Sequence, residues 1–190
     1  MGQAHNSYRI SRNERAKVTF SETIGYALKS GNGRPVWFLR GLLTWKVVSV
    51  NTKGQYEMVE QRGVHGFGAP VHSHERETEG FYVLKGDMTF ILDNKKIHAS
   101  DGDFLFVPSG AKHAFVVDSK EARFLTMIAP PGLEPFFDEL GEPAKVLKLP
   151  PRSVRIPSPA QIEAVAIKYR QKIFGPPPSP RPLSNEKHHH

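Results

Sequence analysis

The sequence predicts an all-β protein, a sandwich or a closed barrel, followed by a few C-terminal helices. Between residues 36 and 129, short runs of aromatic and β-branched residues alternate with Gly, Pro, Asp and Asn. This regular spacing is typical of many short strands joined by turns. The predicted strands cover residues 36–39, 42–48, 56–60, 80–84, 88–92, 104–107, 114–117 and 124–128. Asp93 and Asn94 separate two alternating runs and predict a hairpin.

After residue 130 the apolar residues follow a helical period. A short helix is predicted over residues 133–140. Ser158 and Gln161 form a capping box around Pro159, which predicts the start of a second helix. Its apolar face would extend to Ile173, and Gly175 would end it. We expect this helix, residues 159–174, to pack on the outside of the barrel or on a second subunit.

The chain has 190 residues, a length that favours one domain with additional segments. The expected units are an N-terminal arm (1–30), a single barrel (31–145), a C-terminal extension with a helix (146–175) and a tail (176–190). The tail is rich in proline, which predicts an extended and loose end. Its last three residues, His188 to His190, resemble the remnant of a purification tag.

Charge and composition exclude several classes of function. The net charge is +7, but Lys and Arg are scattered over the two ends of the chain, while residues 66–144 are acidic. Scattered positive charge does not predict nucleic-acid binding. Apolar runs long enough to cross a bilayer are absent from the sequence, so we expect no membrane association. The absence of cysteine favours a reducing compartment, and a cytoplasmic location is predicted.

Four residues of the types that bind metals lie in two stretches of the predicted barrel. His72 and His74 alternate along one strand and would therefore point to the same face. Glu79 begins the next strand, and His113 begins a later one. Three imidazoles and one carboxylate suit one divalent transition metal ion, whether iron, nickel, manganese, cobalt or zinc, with open coordination positions.

The same stretches resemble the two motifs of the cupin superfamily. Gly66, His72, His74, Glu79 and Gly86 match every position of the first motif, and Gly102, Pro108, Gly110 and His113 match the second. Val117 stands where the second motif usually has Asn, which leaves the ligand positions intact. The resemblance implies a double-stranded β-helix, or jelly-roll barrel, with His72, His74, Glu79 and His113 as metal ligands.

Over residues 34–145 the layout is similar to that of the small quercetin 2,3-dioxygenase-like cupins. This likeness implies a metal-dependent dioxygenase of secondary metabolism that opens a flavonol or a similar enolised aromatic molecule, with dioxygen as second substrate. Glu79 would then be both ligand and catalytic base. A non-oxidative isomerase, cyclase, lyase or decarboxylase, and a binding protein without catalysis, are the alternatives. A homodimer is also expected, with contacts from the N-terminal segment and the helix over residues 159–174.

The remaining residues near the motifs have simpler expected roles. His65 is expected in a loop or strand beside the site, and His98 is expected to face solvent. Seven aromatic residues are expected to fill the barrel or line its pocket: Trp45, Phe67, Phe81, Tyr82, Phe104, Phe106 and Phe115. Three charged residues are expected at the rim of the pocket: Glu75, Arg76 and Glu77.

Overall fold

The structure, a computed structural model, describes residues 25–183. Within this range the chain forms twelve strands and two α-helices, and the all-β prediction is confirmed. The strands are β1 (Arg34–Phe38), β2 (Gly41–Val47), β3 (Glu57–Val64), β4 (Gly68–His74), β5 (Thr78–Lys85), β6 (Met88–Leu92), β7 (Lys95–Ala99), β8 (Phe104–Val107), β9 (His113–Val117), β10 (Glu121–Ala129), β11 (Glu142–Pro143) and β12 (Gln171–Gly175). The helices are α1 (Glu134–Leu140) and α2 (Pro159–Lys168), and Ser49–Thr52 form a short 3-10 helix.

The strands form two antiparallel sheets. The larger sheet has the order β11-β1-β2-β3-β10-β5-β8, and the smaller has the order β12-β4-β9-β6-β7. Strands that follow one another in sequence therefore often lie in different sheets, as in β4 and β5. This arrangement is a jelly roll, the fold that the motif resemblance implies.

The hydrophobic core lies between the two sheets. Strand β10 shows how the sequence places this core, because every second residue, Ala122, Phe124, Thr126 and Ile128, is buried while the residues between them are more exposed. Aromatic rings of the two sheets meet across this core. Phe124 contacts Phe115 of the smaller sheet with ring centroids 5.1 Å apart. Because the strands bury one face each, aromatic side chains of both sheets pack against one another in the interior of the barrel.

The second helix is shorter than the sequence predicts. The capping box is present: the Gln161 backbone N–H donates to the Ser158 hydroxyl at 3.3 Å. The helix ends at Lys168, because Arg170 takes a left-handed conformation with φ 55°. The prediction of a helix over residues 159–174 is therefore wrong for residues 169–174.

The residues after α2 form β12 instead of a further helical turn. This strand pairs with β4, and its residue Ile173 points to the interior of the barrel, where it lines a cavity. Helix α2 packs on the outside of the barrel, where Ile162 and Val165 contact the core and Ala166 is buried. Neither helix in the described part of the chain is long and apolar enough to span a membrane.

The proline-rich tail is anchored to the barrel at one residue. The backbone N–H and the guanidinium of Arg181 donate to the carboxylate of Asp118 at 2.7 and 2.9 Å. Asp118 is 4% exposed and also accepts a hydrogen bond from Thr89. The tail is thus held at Arg181, contrary to the expectation of a loose end. Most of the expected N-terminal arm, and the last seven residues with their terminal histidines, lie outside the described residues.

A buried carboxylate caps the first helix. Glu57 is fully buried and accepts the backbone N–H groups of Leu133 and Glu134 at 2.7 and 3.2 Å. These bonds satisfy donors at the start of α1. Burial outweighs them and raises the pKa of Glu57 to about 7. The ionised form is therefore costly in the folded protein.

We expect Glu57→Gln to stabilise the protein at alkaline pH. Because the folded pKa exceeds the unfolded one, the wild-type protein loses stability as the pH rises from about 4.5 to about 7. Gln keeps an acceptor for the two N–H groups but carries no charge. The free energy of unfolding should exceed that of the wild type by about 1–3 kcal/mol at pH 8 and show little gain at pH 4.5. Urea unfolding at both pH values measures this, with exposed Glu163→Gln as control. An equal difference at both pH values would contradict the assignment.

Candidate metal centre

Four side chains from three strands converge inside the barrel. His72 and His74 lie on β4, His113 begins β9, and Glu79 lies on β5 of the opposite sheet. One ligand-type atom from each residue lies within 4.8 Å of those of the other three. The cluster therefore bridges the two sheets and brings together all four residues that the sequence singles out.

Strand geometry explains how the histidines meet. His72 and His74 are two residues apart and share the inner face of β4, and His113 pairs directly opposite His72. Their rings are close, with 4.2 Å between the centroids of His72 and His113. The turn before β9 contains Gly110 at φ 81°, and its N–H donates to the carbonyl of His74 at 2.8 Å. This bond ties the start of β9 to the end of β4.

Backbone carbonyls orient two of the imidazoles. His72 donates from Nδ1 to the carbonyl of Pro70 at 2.7 Å, and His113 donates from Nδ1 to that of Ala111 at 3.1 Å. Each bond fixes the proton on Nδ1 and leaves Nε2 as the ligand atom. His74 is 3% exposed, and no hydrogen bond within 25–183 satisfies either ring nitrogen, although Nε2 lies 3.3 Å from the Glu79 carboxylate. A buried imidazole with unsatisfied nitrogens fits a metal ligand.

The charges within the cluster are strongly coupled. Burial opposes ionisation of Glu79, but the imidazoles of His74 and His113 outweigh it and hold the pKa of the carboxyl well below its ordinary value. The Glu79 Oε2 atom lies 2.7 Å from Nε2 of His113 and 3.3 Å from Nε2 of His74. Burial lowers the pKa of His113, yet this contact with Glu79 prevails and raises it.

His72 differs from His113 because it has no such contact with the carboxylate. Burial, together with the neighbouring imidazoles of His113 and His74, lowers the pKa of His72 to about 3. It is therefore neutral at physiological pH, the form in which imidazole binds metals. An anionic carboxylate and three imidazoles around one point can hold a divalent cation, which displaces any proton on the ring nitrogens that face it.

An apolar cavity leads to the cluster. Its aromatic lining consists of Phe38, Phe67, Phe81, Phe115, Phe136 and Phe137. Ile162 of α2 and Ile173 of β12 also line it, so the C-terminal segment forms one wall. The cavity volume is about 70 Å³. Such a space holds a few water molecules and brings a ligand into contact with both the cluster and flat aromatic rings.

The ring of Phe67 packs against the backbone of two glycines in this wall of the cavity. A Cβ atom at Gly63 would lie 2.1 Å from the Phe67 ring, and one at Gly41 would lie 2.4 Å from it. Neither position could carry a side chain without moving the ring. The small residues on β2 and β3 therefore determine where this wall of the cavity stands.

Comparisons with known proteins agree with this architecture. A family model described as Cupin domain matches residues 59–128, a range that contains all four residues of the cluster. The chain is also 35% identical, over 150 residues, to quercetin 2,3-dioxygenase of Bacillus subtilis (strain 168). The chain is a cupin.

The match to the Bacillus enzyme covers 76% of this cupin and 44% of that protein, so the chain spans less than half of its length. A shorter match, 39% identical over 49 residues, is to acetate kinase EutQ of Clostridioides difficile (strain 630), covering 26% of this chain and 31% of that protein. Among solved structures, one described as a predicted oxalate decarboxylase from Thermotoga maritima superposes with a TM-score of 0.51. It is 20% identical and covers 55% of this chain and 98% of its own, which shows the shared fold alone.

Not all of the aromatic residues expected inside the cupin barrel lie there. Tyr82, Phe104 and Phe106 are 44%, 61% and 55% exposed, and they lie on the outer face of the larger sheet. Trp45 is fully buried in the core but does not line the cavity. The expectation that these residues fill the interior is thus wrong for the first three.

The charged loop between β4 and β5 also differs from expectation. Glu75 and Arg76 are exposed, as a rim would be. Glu77 is buried, and its carboxylate packs against the backbone of Gly132, leaving no room there for a side chain. His98 is exposed, as predicted. His65 lies in a turn and donates to the carbonyl of Asp118 at 2.8 Å, outside the cavity lining.

Two glutamines line the cavity but were not predicted from the sequence. Gln61 on β3 donates its amide to the hydroxyl of Thr126 at 2.9 Å. Gln171 on β12 lies opposite His74. Neither belongs to a cupin motif, and residues 171–174 read Gln-Lys-Ile-Phe, without the polar-apolar alternation that would predict a strand.

Proposed function

We propose that this cupin binds one divalent transition metal ion through His72, His74, Glu79 and His113, and that it is a metal-dependent dioxygenase. The substrate would be a flavonol or a similar enolised aromatic molecule. The observation that carries the proposal is the cluster of three imidazoles and one carboxylate at an apolar cavity lined by aromatic rings. The identity to the Bacillus quercetin 2,3-dioxygenase supports the same substrate class.

The ion would supply Lewis acidity, favouring ionisation of a bound enol hydroxyl, and a site at which dioxygen chemistry proceeds. Glu79 accepts the proton of that hydroxyl at its Oε2 atom, because it is an ionised carboxylate inside the cluster. Nε2 of His113 lies 2.7 Å from the same oxygen, so both atoms face the point at which the ion would bind. Phe67, Phe81 and Phe115 flank the ligand and exclude water from the reacting atoms.

The size of the cavity limits how a substrate enters. The cavity is small, about 70 Å³, so a multi-ring flavonol requires a larger displacement of the wall side chains than a smaller molecule does. Ile162 and Ile173 are the wall residues contributed by the C-terminal segment. A single-ring enolised ketone needs less displacement. Substrates of both sizes therefore belong in the assay.

Oxygen consumption by the metal-loaded protein tests the proposal. The terminal residues His188 to His190 are removed first, because their imidazoles bind metals themselves. We expect a panel of flavonols and polyketide-like phenols to include substrates consumed together with dioxygen, and activity to disappear under nitrogen and after chelation. Equal turnover under nitrogen would instead indicate an isomerase, cyclase, lyase or decarboxylase. Ligand binding without turnover would indicate a binding protein.

The choice among iron, nickel, manganese, cobalt and zinc rests on the same assay, since affinity order alone does not select an ion. The homodimer, the cytoplasmic location and the unit boundaries at residues 30, 145 and 175 stay predictions from the sequence. In the proposal the C-terminal extension helps to form the binding cavity, because α2 and β12 both contribute residues to its wall.

A further inference from the structure

Strand β12 places one polar side chain beside the metal-binding cluster. Gln171 pairs directly with His74, and Ile173 pairs with His72. Residues opposite each other in an antiparallel pair point to the same face. The side chain of Gln171 therefore shares the inner face with the histidines, and it lines the same cavity.

The amide nitrogen of Gln171 lacks a partner. The residue is 7% exposed, and its Nε2 atom is buried without a hydrogen bond to any of the described residues. The other glutamine of the cavity is satisfied, because Gln61 donates from its own Nε2 to Thr126. A buried N–H without an acceptor is unfavourable, so a ligand oxygen at this position would be stabilised.

We propose that Gln171 is a positioning residue for the ligand and that its side-chain amide donates to an oxygen of an enolised hydroxyketone bound at the cluster. The inference rests on the proposed function for the class of ligand and for the metal. Lys and Arg are absent from the described lining of the cavity, so the amide supplies a neutral donor to the ligand oxygen. Ligands that lack an acceptor at this point would lose the contact, and Gln171 would thereby contribute to specificity.

Ligand binding under nitrogen tests this role without any turnover. The probe is maltol, which carries the hydroxyketone unit of a flavonol on a single ring, titrated into the cobalt-loaded protein. The cobalt absorption bands report binding. Gln171→Met keeps the size of the side chain but removes the donor. We expect its dissociation constant for maltol to rise about ten- to a hundredfold, the effect of losing one hydrogen bond to a charged oxygen, with the cobalt content unchanged.

The matched control is Lys172→Met, which introduces the same side chain at the exposed neighbour on β12. Its affinity for maltol should equal that of the wild type. A second measurement needs no variant protein: in the zinc-loaded wild type, maltol should shift the NMR resonances of the Gln171 side-chain amide. Gln171→Glu identifies those resonances by their disappearance.

An affinity of Gln171→Met within twofold of the wild type, or amide resonances that maltol leaves unshifted, would overturn the proposal. Failure of the metal-loaded wild type to bind maltol would overturn it as well. Failure of the proposed dioxygenase reaction is a different result. It would appear as absent oxygen consumption while maltol binding and its dependence on Gln171 persist.

Discussion

Glu79→Gln is expected to lower kcat for an accepted flavonol by about 10²- to 10⁴-fold, the usual contribution of a general base. The variant keeps the shape of the side chain and one oxygen that can face the cation. The amide cannot take up the proton of the enol hydroxyl. Three imidazoles remain, so much of the metal should stay bound. Oxygen consumption and elemental analysis on the same sample separate the loss of the base from the loss of the ion.

Glu75→Gln is the matched control for this experiment. Glu75 lies in the exposed loop four residues before Glu79, and the same change of charge there should leave kcat unaltered. Wild-type turnover by Glu79→Gln would contradict the role of the carboxylate as base. A parallel loss of metal and activity would restrict Glu79 to the role of ligand.

His74→Ala is expected to weaken metal binding by at least about a hundredfold. Losing a residue that merely orients a ligand already costs about 10- to 100-fold in affinity, and His74 is proposed as a ligand itself. A bound ion stabilises the folded state by a free energy that grows with the logarithm of its affinity. The variant should therefore lose the increase in melting temperature that the metal gives the wild type. Elemental analysis and thermal unfolding with and without metal measure both effects.

His98→Ala provides the comparison for this variant. His98 is an exposed imidazole on β7, hydrogen-bonded to Thr89 at 2.9 Å and remote from the cavity lining. Its removal should leave the metal content at the wild-type level. If His74→Ala bound metal as tightly as His98→Ala, the proposed ligand set would be wrong.

The four cluster residues could be found from the sequence because local strand geometry and the resemblance to the cupin motifs point to the same side chains. Alternation alone places His72 and His74 on one face, and the glycines and Pro108 of the motifs mark the turns that bring Glu79 and His113 to them. Their convergence depends on the pairing of β4 with β9 and on the packing of the two sheets, which the resemblance to the cupin motifs implied. Short, regularly spaced strands bounded by turn residues predicted a sandwich or a barrel, and the resemblance of the two motifs to those of cupins selected the jelly roll.

The end of α2 was not predictable in the same way. The apolar positions continue with helical spacing past Lys168, and Ile173 suits a helix face as well as a strand. The left-handed residue Arg170 carries no sequence signal such as Gly or Asn. Pairing with β4, about a hundred residues before it in the chain, decides the outcome. Gln171 was missed because its place beside His74 depends on that long-range pairing.

The exposed aromatic residues were misplaced for a different reason. Strand β8 reads Phe-Leu-Phe-Val, so apolar side chains point to both faces and periodicity cannot tell which is inside. Its register beside β5 turns Phe104 and Phe106 outward and Val107 inward. When an edge strand carries apolar residues on both faces, its sequence does not show which face is buried, and packing against the neighbouring strand decides it.

Anomalous X-ray diffraction from crystals of the metal-loaded protein, recorded above and below the absorption edge of the ion, tests the central claim most directly. The terminal histidines are removed beforehand. One peak per chain is expected between the Nε2 atoms of His72, His74 and His113 and the carboxylate of Glu79, at bonding distances of about 2.0–2.2 Å. Crystals whose metal lies elsewhere on the chain, with these four side chains unliganded, would contradict it.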